Sequence, residues 1–137
     1  MESKLKELFG YDKFRESQKE IVEASLDNKN IIVLMPTGGG KSLCYQFPAT
    51  QSNGITIVIS PLKSLIQDQI GHLKKQNINV AGFYGDTGFN EKQQFFINIE
   101  NHKYLIVYTT PETITGNQPF LEVLLNLHQK NKLIRFV

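Results

Sequence analysis

Apolar residues fall along this chain in two rhythms. Five short runs, Ile31–Met35, Ile55–Ile59, Val80–Tyr84, Tyr104–Tyr108 and Leu133–Val137, are apolar at most positions rather than alternating. Such runs predict strands covered on both faces, the habit of a parallel sheet. Between them, Leu62, Leu65, Ile66, Ile70 and Leu73 recur at helical spacing, and so do Phe120, Leu121, Leu124, Leu125 and His128. Asn117 is placed to cap the second of these helices and Pro119 suits its first turn. Further helices are expected over Lys13–Leu26 and Glu91–Glu100. Helix and strand therefore alternate, which predicts an α/β fold around a parallel sheet. There is no internal repeat, linker or low-complexity segment.

Composition adds bounds more than identity. A chain of 137 residues, 40% apolar and 20% charged, has the material for a core and the size of one domain. The net charge of +2 permits nucleic-acid binding without arguing for it. Lys74-Lys75 is the only adjacent basic pair, and most basic residues read as solvated helix faces. A single cysteine, Cys44, excludes an internal disulfide and a cysteine-rich zinc site and suits a reducing, intracellular compartment. His72, His102 and His128 lack metal-ligand spacing and read as surface residues. MESKLKELFG has no apolar signal core, and no run reaches membrane-spanning length, so no membrane partner is expected.

The strongest chemical signal is Pro-Thr-Gly-Gly-Gly-Lys-Ser, Pro36–Ser42, directly after the first apolar run. Glycines let a backbone turn with positive φ and bring its N–H groups against an anion. A helix starting near Lys41 would add its N-terminal amides and dipole. In this reading Thr37, Gly38, Gly39 and Gly40 cradle phosphate, Lys41 meets the β and γ phosphates, and Ser42 offers its hydroxyl to Mg²⁺. Met35 stands where the strict G-x-x-x-x-G-K-[ST] pattern has its first glycine. The competing reading is a glycine-rich strand-to-helix connection with a chance lysine. Cys44 and Tyr45 read as core.

Together the segments resemble a family. FGYDKFRESQ (Phe9–Gln18) is similar to the segment ahead of the phosphate loop in RecQ-family DNA helicases. MPTGGGKSLCYQFPA (Met35–Ala49) resembles their motif I, VISPLKSLIQDQ (Val58–Gln69) motif Ia, and YTTPE (Tyr108–Glu112) motif Ib, with Thr109 where valine or alanine is more usual. LIRFV (Leu133–Val137) resembles the strand leading into motif II, and the whole looks like the Bloom-type branch. The resemblance implies a P-loop NTPase fold, a RecA-like helicase lobe divided into an adenine-reading segment, 1–30, and a partial ATP-binding lobe, 31–137.

It also implies roles. Tyr11 and Arg15 would sandwich adenine and Gln18 would bond its edge, using aromatic and guanidinium planes and an amide suited to N6 and N7. Ser60, Pro61 and Ser64 of motif Ia, with Lys63 beside them, and Thr110, Pro111 and Glu112 of motif Ib would hold the sugar-phosphate backbone of single-stranded or forked DNA. Gly85-Asp86-Thr87, after the third strand, reads as a loop near the same face and is given no role. ATP and Mg²⁺ are the implied cofactors, DNA the implied partner, 3′ to 5′ unwinding the implied activity, and the nucleus the implied location in a eukaryote. An Asp-Glu-Ala-His box would follow Val137. A strand beyond it would fill a gap between the phosphate-loop strand and Leu133–Val137. Without that box and a second lobe with its arginine fingers, hydrolysis by residues 1–137 alone is not expected. The alternatives are a non-catalytic product that binds nucleotide or DNA weakly, and a small P-loop kinase or other NTPase.

Overall fold

The computed structural model describes residues 1–15, 17–35 and 40–137, and the chain divides into two compact units, Met1–Ser52 and Asn53–Val137. In the first unit α1 (Glu2–Phe9) buries Leu5 and Phe9, four apart and so on one face. It stops at Gly10, whose left-handed φ of 79° lets its N–H reach the Lys6 carbonyl at 3.0 Å. Helix α2 (Gln18–Leu26) buries Gln18 and Val22 and packs against α3 (Lys41–Thr50). Phe47 of α3 meets Phe9 at 6.3 Å between ring centroids and Phe14 at 5.2 Å, the latter nearly edge-on.

Two expectations for this unit need correction. The helix expected from Lys13 begins at Gln18, whose side chain bonds back to the Arg15 N–H ahead of the helix. The strand expected over Ile31–Met35 does not form, and Ile32 and Leu34 are 89% and 92% exposed. A parallel strand exists only through the ladder it makes with a neighbour, and no strand pairs with this run among the described residues. Helix α1 was not foreseen; its apolar face is two residues wide.

The second unit is a four-stranded parallel sheet in the order β2-β3-β1-β4. Its strands are β1 (Ile55–Ile59), β2 (Val80–Phe83), β3 (Ile106–Thr109) and β4 (Leu133–Phe136), close to the predicted runs. Within the sheet β1 bonds β4 directly, with a bulge after Ile55; the gap is expected between Ile31–Met35 and Leu133–Val137, and Ile31–Met35 forms no strand among the described residues. Crossovers are made by α4 (Lys63–Lys75), by α5 (Phe89–Glu100), and by the pair α6 (Pro111–Gly116) and α7 (Gln118–Gln129). Asn117 caps α7 as predicted, its side chain accepting from the Phe120 N–H at 3.0 Å, with proline in the first turn.

Alternation along the inner strands splits the core. Ile55, Ile57 and Val107 face Phe95 and Ile99 of α5 and Phe120, Leu124 and Leu127 of α7. Phe83 is the centre of this layer, stacked on Phe95 at 4.5 Å and meeting Phe120 at 4.8 Å and Phe96 at 5.4 Å. Helix α4 packs against β2 and buries Ile66 and Leu73.

Removing the Phe83 ring leaves a void that three neighbouring rings cannot fill. Phe83→Ala is expected to lower stability by about 3–5 kcal/mol, and Phe89→Ala, at an exposed ring, by less than about 0.5 kcal/mol. Urea unfolding followed by circular dichroism measures both.

Candidate functional site

In the first unit the glycine loop ends at Gly40, with φ 83° and ψ 30°, a conformation open to glycine and strained for other residues. Helix α3 starts at the next residue. This puts Lys41 exposed and Ser42 half-buried in its first turn. The Gly40 carbonyl accepts from Gln18 Nε2 at 3.0 Å, and Gln18 Oε1 accepts from the Arg15 N–H at 2.7 Å. A Cβ at Gly40 would collide with the Gln18 amide. Gln18 is therefore buried and fixed from two sides, while Tyr11 and Arg15 are exposed ahead of it. Thr37, Gly38 and Gly39 lie outside the described residues. Cys44 is buried one turn into α3, within 3.6 Å of the Gly40 carbonyl, and burial pushes its thiol pKa up. That fits its reading as core.

In the second unit all four strands are parallel, so the carboxyl ends of β1, β3 and β2 share one edge of the sheet, the edge where open α/β sheets hold ligands. Three segments emerge there. Ser60 donates its N–H to the Thr109 carbonyl at 3.0 Å, and its hydroxyl accepts weakly from the Leu62 N–H at 3.4 Å. Pro61 and Ser64 are exposed beside it. Thr110 caps α6, its hydroxyl accepting from the Thr113 N–H at 3.3 Å and lying 2.7 Å from the Thr113 hydroxyl. Pro111 is half-buried and Glu112 exposed.

The third segment, Tyr84–Thr87, joins the other two. Gly85 donates its N–H to Thr113 Oγ1 at 3.1 Å, and the Tyr84 N–H reaches Thr87 Oγ1 at 3.1 Å. Lys63 Nζ bonds both Asp86 oxygens, at 2.9 and 2.8 Å, and lies 4.6 Å from the Tyr84 ring centroid. The Lys63 hydrogen bond and charge hold the Asp86 carboxyl below its ordinary range, and burial raises the Tyr84 phenol. Sequence reading gave Tyr84, Asp86 and Thr113 no role, because each acts through a partner on another element; Thr113 has the one local signal, its spacing of three from the capping Thr110. Among the described residues no cluster of His, Cys, Asp and Glu could hold a metal ion, and no helix is long and apolar enough to cross a membrane.

The profile of the DEAD/DEAH box helicases matches residues 15–133. The chain is 42% identical over 139 residues to ATP-dependent DNA helicase hus2/rqh1 of Schizosaccharomyces pombe, across 97% of this chain and 10% of that protein. It is 36% identical over 114 residues to ATP-dependent DNA helicase RecQ of Synechocystis, across 83% of this chain and 24% of that one. A hypothetical ATP-dependent RNA helicase from Sulfolobus tokodaii has the same fold, with a TM-score of 0.63 and 21% identity over 99% of this chain and 49% of that one. The chain belongs to the DEAD/DEAH box helicase family and is a RecA-like α/β lobe of the P-loop NTPase class. Within that family its curated relatives include RecQ helicases, and it spans from a tenth to a quarter of the length of these two relatives.

Gly40→Ala forces a side chain into the left-handed region, at about 1–2 kcal/mol, and onto the Gln18 amide. A clear drop in melting temperature is expected, while Gly71→Ala, at an open helical position, holds or raises it. Cys44 should react slowly with a disulfide reagent near neutral pH and quickly in urea, since a raised pKa and burial both suppress the exposed thiolate; equal rates in the two conditions would contradict its placement in the core.

Proposed function

We propose that this chain is the ATP-binding part of a 3′ to 5′ DNA helicase, with residues 1–30 reading adenine and residues 31–137 carrying the phosphate loop and the DNA-backbone contacts. The hydrogen bond from Gln18 to Gly40 carries the nucleotide half of this reading. It ties the adenine-reading residue to the head of the phosphate-loop helix within one compact unit. A glutamine amide has two N–H donors and two acceptor lone pairs. Among the described residues, the bonds to Gly40 and Arg15 use one of each, leaving one donor and one acceptor, the complement of the adenine N6 and N7 edge. Exposed Tyr11 and Arg15 suit stacking on the base.

Lys41 would then meet the β and γ phosphates and Ser42 the Mg²⁺ that bridges them, with Thr37, Gly38, Gly39 and Gly40 wrapping the anion. Mg²⁺ would shield charge on the phosphates when bound. On the second unit Ser60, Pro61, Ser64, Thr110, Pro111 and Glu112 would follow the backbone of single-stranded or forked DNA, through hydroxyls and helix-start amides that read no sequence. Relatives named as ATP-dependent DNA helicases support both the fuel and the polymer. A nuclear location follows if the source is eukaryotic.

Binding of a fluorescent ATP analogue tests the nucleotide half. Lys41→Ala should abolish it. Tyr11→Ala, at an exposed ring, should weaken it by roughly fivefold or more, the scale of one lost base stack. Gln18→Ala should relax the preference for adenine over guanine. Equal binding of ATP and GTP, before and after that change, would remove the adenine assignment.

A further inference from the structure

We infer that Asp86 is an internal competitor for backbone phosphate: in the unloaded protein it occupies Lys63, and a phosphate of bound single-stranded DNA takes its place. The inference rests on the reading that the segments after β1 and β3 hold DNA.

Four observations carry it. Lys63 is the first residue of α4, at the shared carboxyl edge of the sheet and between Pro61 and Ser64. Its ammonium is bound by both oxygens of one carboxylate, at 2.9 and 2.8 Å, the way it would meet two oxygens of a phosphate. The carboxylate is presented by a tethered loop, with Gly85 held by Thr113 and its carbonyl accepting from Lys92 Nζ at 3.2 Å. The pair is open to water, with 42% of the Lys63 side chain and 73% of the Asp86 side chain exposed. An exposed ion pair contributes little, so phosphate can displace Asp86 at small cost while the Tyr84 ring keeps Lys63 at its post.

A plain staple between α4 and the β2–α5 connection would use the same contact but respond differently to mutation. If the pair only held the fold, removing either partner would weaken DNA binding. If Asp86 competes, removing it must strengthen binding, and only while Lys63 is present. The benefit to a motor is a grip that stays reversible, because each phosphate leaving Lys63 is replaced at once by the carboxylate.

The test is fluorescence anisotropy of a labelled oligothymidylate with the chain across a salt series. Asp86→Asn should bind roughly two- to fivefold tighter, the range of an exposed ion pair. Its plot of log affinity against log salt should be steeper by up to about 0.7, one single-strand phosphate without compensating cation uptake by Asp86. Lys63→Ala should bind more weakly, and the Lys63→Ala/Asp86→Asn double variant no tighter than Lys63→Ala. Glu122→Gln, an exposed carboxylate on α7, should leave affinity unchanged. Thermal melts verify folding, and Asp86→Ser serves as a second variant. If the unsubstituted chain binds and neither Asp86 variant binds tighter, or if the gain survives without Lys63, the competitor role is wrong and the DNA reading stands. If the folded chain and all folded variants fail to bind, the DNA reading falls and takes this inference with it.

Discussion

A parallel strand has no backbone partner of its own, and the pairing of β1 with β3 on one side and β4 on the other is what the second unit is built around. Each such pair needs a crossover that returns the chain to the same end of the sheet, and helices supply it. Hence α4, α5 and the α6–α7 pair. Their buried residues fill the layer centred on Phe83. Because every strand runs the same way, the segments after β1, β2 and β3 emerge side by side, although Ser60 and Thr110 are far apart in sequence. The same rule explains Ile31–Met35. Its composition is that of a strand, but with no neighbour among the described residues to complete a ladder its N–H and C=O groups gain nothing from extension.

Three polar groups with proposed roles already have internal partners. Gln18 spends half its bonding capacity on Arg15 and Gly40, Thr110 spends its acceptor on capping α6, and Lys63 is held by Asp86 and Tyr84. These bonds fix orientation before a ligand arrives, which reduces the ordering a ligand must impose. They also set what remains available. Among the described residues, Gln18 keeps one donor and one acceptor. Lys63 keeps its charge, but behind a carboxylate. The thiol of Cys44, beside the same Gly40 carbonyl, is raised in pKa by burial and is a packing group.

Much of this was legible without coordinates. The runs at Ile55, Val80, Tyr104 and Leu133 are apolar at most positions, and strands lie there within one or two residues. The period of Leu62–Leu73 and of Phe120–His128, with Asn117 and Pro119 ahead of the latter, marked α4 and α7 because caps and amphipathic faces are local properties. The order of the helicase-like segments likewise identified the family. Helix α1 was missed because two buried residues in eight make too narrow a stripe to separate from a charged tail.

The linear sequence determined where glycine, lysine and serine gather ahead of α3, since their order is fixed by the covalent chain. It also determined which runs favour strand, because side-chain apolarity and branching act residue by residue. Tertiary structure alone decided whether each run found a partner, giving Ile55–Ile59 two ladders and Ile31–Met35 none among the described residues. It alone decided that Asp86 lies on Lys63, 23 residues away, and that Gln18 lies on Gly40, 22 residues away. The physical reason is that ion pairs and hydrogen bonds depend on distance in space, and sequence patterns report that distance only within a turn or two of the chain.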